Sequence, residues 1–481
     1  MSDNNSNDEK GKFKLNWIRI ALTAVGIAIV VAGVVIGIYS CTNHKNTEVD
    51  DSAVNEDTIA DSSNTGSENE AYTGSTTQVS DAESGADENV ADEEYNDAID
   101  VDSEKADSDN NESTSEREIL AFEDVELPET YPTYNINNEN VKLVGRYYLN
   151  EGNCWCSLSG SGAEFLYCGE KLVLTFTADG ARDTDGSRAR VAVYIDGERV
   201  LDEMLDKKTE SFTVYEGERK AIDVKIVKLS EVTSSLFAIN PITVAEGDYI
   251  LPAEEKPHRI EFIGDSITCG YGVDDEDRNH HFSTSTEDVT RAWAYKTAEL
   301  LDADYSIFSY SGWGVYSGYT TDSQTRNADS CVPRVYDYTG FSYQQFDGGV
   351  APQDVEWDFS AFIPDVVVIN LGTNDSTYCD TPDKNEEFSE AYCDFIEKIR
   401  KRNPDAYIFC VLGTMGDAMF ANIEDAVERY ISETGDVMVS TIHLPNQSEA
   451  QGIAADWHPT EATHSIAARK VADKISEILG W

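Results

Sequence analysis

The chain has 481 residues, more than one compact core accommodates, so two folded domains with extra segments are expected. Lys and Arg number 36 against 91 Asp and Glu, a formal net charge of -55. Such acidity excludes nucleic acid and anionic lipid as docking partners, because both need a basic footprint, and it fits a neutral ligand.

The first 19 residues are polar and carry Lys10, Lys12, Lys14 and Arg19. Residues 20–39 then run without a charge. A helix of about 20 apolar residues spans a bilayer core, and the basic flank stays cytoplasmic. A single-pass anchor over 20–40 is expected, with the remainder of the chain extracellular. A cleaved signal peptide is a rival, although its apolar region usually covers only about 7–15 residues. A lipid-modified Cys41 is another.

Residues 41–125 are expected to be an acidic disordered linker. Between Glu48 and Glu118 stand 24 acidic residues and two basic ones, Lys105 and Arg117. Such a stretch buries too little apolar surface to offset its ordering entropy, and its charges repel one another.

Over 130–250 short apolar runs alternate with turn signals: 141–148, 171–177, 189–195, 211–215 and 222–229. Asp196-Gly197 after one of them marks a hairpin. The spacing predicts an all-β, jelly-roll-like sandwich. From 256 to 481 strands alternate with helices. Strands are expected at 259–264, 305–310, 366–370, 407–412 and 437–441, and helices at 290–301, 388–402, 418–433 and 461–479. The unbroken apolar run Val366-Val367-Val368-Ile369 suits a buried parallel strand. This part reads as α/β, a three-layer α/β/α domain with a parallel sheet. Its chemistry belongs beyond the carboxyl ends of the strands.

Three of those ends carry candidate chemistry. Gly264-Asp265-Ser266 closes the first strand and places the Ser266 hydroxyl and N–H at a strand-to-helix turn. Ser311-Gly312-Trp313-Gly314 closes the second, where glycines permit close backbone approach and Trp313 offers an apolar face for a sugar. Asn374 follows the third and can donate its amide to an oxyanion. Asp456-Trp457-His458-Pro459 lies before the last helix. His458 has the residue type of a base for a serine, with an ordinary pKa near neutrality, and a carboxylate such as Asp456 would orient it. His464 is expected to be packed or on the surface. His280, His281 and His443 lack a strand-end position. The nine cysteines show no zinc spacing, and they are either buried thiols or partners such as Cys331 with Cys379, or Cys168 with Cys154 or Cys156.

The run Gly264-Asp265-Ser266-Ile267-Thr268-Cys269-Gly270-Tyr271-Gly272, the strand-end glycines, Gly372-Thr373-Asn374-Asp375 and the late Asp456-Trp457-His458-Pro459 block resemble the SGNH, or GDSL-type, hydrolases. More narrowly, residues 130–481 are similar to carbohydrate esterase family 2, which joins a β jelly roll to an SGNH domain and deacetylates plant polysaccharides. Gly145-Arg146 and the segments 159–162, 193–197 and 228–231 share in that likeness. The resemblance implies Ser266 as nucleophile, His458 as base, and an oxyanion hole of the Ser266 N–H, Gly314 and Asn374, with Gly312 as the alternative to Gly314. It implies an acetylated polysaccharide such as xylan or glucomannan as substrate, with Trp313 and Trp457 as sugar contacts, and neither metal nor organic cofactor. Most SGNH enzymes carry an Asp three residues before the His. Here that position is Ala455, and Asp456 stands two before. Some family 2 members work with a Ser–His dyad alone. A lipase-like or thioesterase SGNH enzyme and an inert carbohydrate-binding surface protein are the alternatives.

Overall fold

A computed structural model describes residues 131–180 and 186–481. The cytoplasmic segment 1–19, the anchor over 20–40 and the linker over 41–125 lie outside the described residues. Among the described residues no helix is long and apolar enough to cross a membrane.

The first part is antiparallel β structure. Its spine is the pair Gly162–Ala178 and Thr209–Lys228, hydrogen-bonded along their length with register shifts between Gly169 and Lys171 and between Leu172 and Val173. The runs 211–215 and 222–229 were separate on hydropathy alone. They form one strand because the charged stretch between them stays paired, Glu216 opposite Lys171 and Lys220 opposite Gly169. Bulges of this kind add twist without ending a strand. Pairing through them links nine strands into one hydrogen-bonded network. The hairpin Arg190–Ile195 to Glu198–Met204 turns at Asp196 and Gly197, both at positive φ, 50° and 83°. That is the primed geometry matching strand twist. Alternate residues, among them Phe165, Tyr167, Leu174, Val191, Val193 and Val224, fill one apolar cluster.

The second part is a parallel sheet of five strands: β1 His258–Gly264, β2 Ala303–Ser309, β3 Val366–Asn370, β4 Tyr407–Leu412 and β5 Val439–His443. Their order is β2-β1-β3-β4-β5. The helices are α1 Ser266–Cys269, α2 Trp293–Leu300, α3 Pro382–Arg402, α4 Phe420–Thr434 and α5 Glu461–Leu479. Helix α3 begins earlier than hydropathy indicates, since Thr381 caps it by accepting from the Lys384 N–H and Pro382 occupies its first turn. Val367 and Ile369 face α3 and α4, whereas Val366 and Val368 face α2 and α5, which makes three layers. Strand order changes direction at β1, so a crevice opens beyond the ends of β1 and β3.

The two parts share their cores. Trp155, Leu158 and Val232 pack with Phe308, Tyr310 and Tyr336, and Val144, Val227 and Leu229 pack with Tyr305 and Ile307. Between them Arg146 is fully buried. It bonds Glu261 Oε1 at 3.0 Å and the carbonyls of Tyr336 at 2.5 Å and Tyr338 at 2.6 Å, and its guanidinium lies 4.1 Å from the Phe308 ring centre.

All eight described cysteines are free and buried, so none of the bridges considered from spacing is present among the described residues.

Candidate active site

Ser266 opens α1 directly after β1. Asp265 is its N-cap and accepts from the Ile267 N–H at 3.0 Å, holding the turn that raises Ser266 above the sheet. His458 arrives from the other end of the chain on a short turn, Ala455–Trp457, ahead of α5. His458 Nε2 lies 2.9 Å from Ser266 Oγ. The residues are 7 % and 8 % exposed, so the pair is open to solvent only at its rim. The turn approaches closely because Gly272, at φ 61°, has no side chain: a Cβ there would sit 2.8 Å from that of Ala455. Asp456 and Trp457 both take positive φ, 48° and 65°. Two successive non-glycine residues in that region are strained, as happens where a site is held in place by its surroundings.

The far side of the imidazole corrects one expectation. His458 Nδ1 faces the main-chain carbonyls of Ala455 at 3.2 Å and Asp456 at 3.1 Å. A carbonyl only accepts, so Nδ1 carries the proton and Nε2 is left to accept from Ser266. The Asp456 carboxylate does not reach the ring. It accepts from Tyr271 Oη at 2.7 Å and the Phe282 N–H at 3.0 Å, and pairs with His281 Nδ1 at 2.8 Å. The left-handed turn at Asp456 points its side chain away from His458 and its carbonyl toward it. The Tyr271 ring stacks on the His458 ring at 3.8 Å and 19°. Burial pushes the His458 pKa down to about 4, against the raising effect of the two carbonyls.

The oxyanion donors also differ from expectation at one position. Gly314 N–H donates to Ser330 O at 3.1 Å, and a Cβ at Gly314 would meet Ser317 O and Asp375, so this residue is buried in its own loop. Gly312 is the open one. At φ 78° it has nothing within 4 Å of a Cβ, and its N–H has no partner among the described residues. The Ser266 N–H is likewise unpartnered among the described residues. Asn374 Nδ2 donates to Trp313 O at 2.8 Å and to Asp265 Oδ2 at 3.3 Å. Burial raises the Asp265 pKa to about 7.

Trp313 packs into the core. It is 6 % exposed, stacked on Tyr310 at 4.7 Å, and meets the site only through its carbonyl. Trp457 is 56 % exposed beside His458, with the Arg278 guanidinium 4.7 Å from its ring centre. Tyr319 is also exposed, and its N–H donates to Gly312 O at 2.8 Å. His464 is packed: Nδ1 accepts from the Trp293 N–H at 3.2 Å, and burial lowers its pKa to about 3. His443 pairs with Asp417 at 2.8 Å and His280 with Asp275 at 2.9 Å, both at the surface.

Residues without a role on sequence grounds take part as well. Asp375 accepts from the N–H groups of Tyr316 at 2.7 Å, Ser317 at 2.8 Å and Val315 at 3.1 Å, and so anchors the loop after β2. Burial raises its pKa to about 6, against those bonds. Tyr271 stands inside the most specific run of the sequence, yet its contact with His458 spans most of the domain and has no local signal.

Residues 262–466 match the GDSL-like Lipase/Acylhydrolase family. The chain is 29 % identical over 357 residues to the Cellulase/esterase CelE of Acetivibrio thermocellus, covering 72 % of this chain but only 40 % of that one. It is 25 % identical over 359 residues to an Acetylxylan esterase / glucomannan deacetylase of Cellvibrio japonicus, covering 73 % of this chain and 92 % of that protein. Among solved structures, it is similar to a family two carbohydrate esterase from Clostridium thermocellum in complex with cellohexaose, at 27 % identity and a TM-score of 0.60, over 71 % of this chain and 99 % of that one. The α/β part of the chain is a GDSL-type, or SGNH, hydrolase domain, in a chain that resembles the carbohydrate esterases of family two.

Proposed function

We propose that this chain is a serine esterase that removes O-acetyl groups from polysaccharide. The observation that carries the proposal is the 2.9 Å contact of Ser266 Oγ with His458 Nε2; the N–H groups of Ser266 and Gly312, unpartnered among the described residues, support it. His458 takes the Ser266 proton as Oγ adds to the acetyl carbonyl. The oxyanion is received by the two N–H groups and by Asn374 Nδ2, which exchanges its longer bond to Asp265 for the new one. Protonated His458 returns its proton to the sugar oxygen, which leaves as the alcohol. Water, deprotonated by His458, then releases acetate from Ser266. Main-chain carbonyls accept from Nδ1 and steady the imidazolium, and the Asp456 carboxylate acts on it only through space.

A carbohydrate substrate is supported by the relatives named acetylxylan esterase and by the cellohexaose-bound family two esterase. The exposed Trp457 beside His458 supplies an apolar face of the kind sugar rings stack on. An acidic surface suits a neutral polysaccharide. Residues 20–40 would hold the enzyme in the cell membrane and 41–125 would set it off from the surface, with the domain outside.

The test is acetate release by the full chain from acetylated xylan and from 4-nitrophenyl acetate, against Ser266→Ala. Release by the wild type and a loss of at least about 1,000-fold in Ser266→Ala are expected. Retention on acetylated xylan without release by the wild type overturns the proposal in favour of a binding protein. A preference rising from acetate to octanoate esters overturns the acetyl assignment.

A further inference from the structure

Glu231 belongs to the β part, three residues beyond the strand Thr209–Lys228, yet its carboxylate reaches the hydrolase site. It is 4 % exposed. Oε2 accepts from the Ser311 N–H at 2.9 Å and lies 3.7 Å from Cys269 Sγ. Oε1 accepts from Thr233 Oγ1 at 2.6 Å.

The two atoms held by Oε2 matter because of what adjoins them. Ser311 immediately precedes Gly312, whose N–H has no partner among the described residues. Cys269 is the last residue of α1, whose first is Ser266. One carboxylate therefore ties the loop after β2 to the helix that carries the nucleophile. Glu231 is itself held in place: its N–H donates to Glu287 Oε2 at 2.7 Å, and Lys228 Nζ donates to its carbonyl at 2.9 Å. Glu287 is fully buried with Oε1 unpartnered, and burial beside Glu231 raises its pKa well above the carboxylate range. The Glu231, Cys269 and Glu287 ligand atoms lie within 4.8 Å of one another. Lys228 lies beside them, and burial lowers its pKa to about 8 against the opposing charges of Glu287, Asp179 and Glu231.

We infer that Glu231 is a positioning residue supplied by the β part: it sets the Gly312 donor against the Ser266 helix, and so sets the width of the oxyanion hole. The inference rests on the esterase reading of Ser266 and His458. The β part then does more than buttress the cleft, because the hydrolase domain lacks this anchor without it.

The experiment compares full-chain wild type, Glu231→Gln and Glu231→Ala on 4-nitrophenyl acetate, together with inhibition by phenylboronic acid, which forms a tetrahedral adduct on an active serine. The loss of one oxyanion donor typically costs about 100- to 1,000-fold in kcat. A displaced donor is expected to cost less, about 30-fold in Glu231→Ala. Glu231→Gln keeps an acceptor oxygen and should lie between, at about fivefold, with KM within twofold in both. The inhibition constant for phenylboronic acid should rise in proportion to the loss in kcat. A wild-type kcat in folded Glu231→Ala overturns the inference, as does a loss confined to KM. Where Glu231→Ala does not fold, unchanged kcat in Glu231→Gln overturns it. An inert wild type would instead fault the esterase reading.

Discussion

His458 meets main-chain carbonyls where a triad would place a carboxylate, and this changes what each neighbour is expected to do. Replacing the triad aspartate of a serine protease by Asn costs about 10,000-fold because the tautomer is lost. Here two carbonyls set the tautomer, so Asp456→Asn should lower kcat/KM by less than about tenfold, read on 4-nitrophenyl acetate. A loss of 1,000-fold or more would restore Asp456 to the triad. The acid limit follows from the same burial. His458 acts as base only when neutral, and its pKa is pushed down to about 4. Activity should therefore persist from pH 8 to about pH 5 and fall about tenfold per unit below 4. An unperturbed histidine would place that fall near 6.5. Asp265, raised to about 7, titrates in the same cleft. Asp265→Asn removes that group, and the limb that survives in the pH profile belongs to His458.

At the scale of elements, the strand ends were legible because each carries its own chemistry. Val366–Asn370 is an apolar run ending in a polar residue, and Gly264 and Gly312 mark sharp exits from their strands. Hydropathy reads such features directly, since a strand buried on both faces has no alternation to obscure it. Helix α1 is legible only as the strand-to-helix turn at Ser266, because four residues are too few to show a period. The strand Thr209–Lys228 looks like two on hydropathy because its middle is charged, and only its pairing with Gly162–Ala178 reveals it as one. Gly312 and Gly314 could not be told apart two positions from each other. Their difference lies in the Ser330 carbonyl, which takes one N–H and leaves the other.

Across the whole molecule, the two parts are joined by charge as well as by shared core. Arg146 is at 0 % exposure, with Glu261 and two carbonyls as partners and aromatic rings around it. Removing one member of a buried pair leaves the other uncompensated, at about 3–5 kcal/mol. Arg146→Ala should therefore destabilise by about that amount, measured by urea unfolding of the full chain followed by tryptophan fluorescence. A loss under about 1 kcal/mol would mean that Glu261 finds another partner or a proton.

The sequence by itself determined that a β-rich part precedes the parallel α/β domain, and that Ser266 and His458 meet. These depend on local pattern: apolar runs, turn glycines and polar residues at strand ends. The tertiary structure decided which glycine is open, that Asp456 bonds Tyr271 and not His458, that Trp313 is core, and that Glu231 reaches the site from the other part. The Asp456–Tyr271 and Glu231–Ser311 bonds join residues 185 and 80 positions apart, and the choice between the glycines turns on a main-chain bond from Gly314 to Ser330. No local pattern encodes such pairings, because they are settled by which partner arrives with the better geometry once the chain has folded.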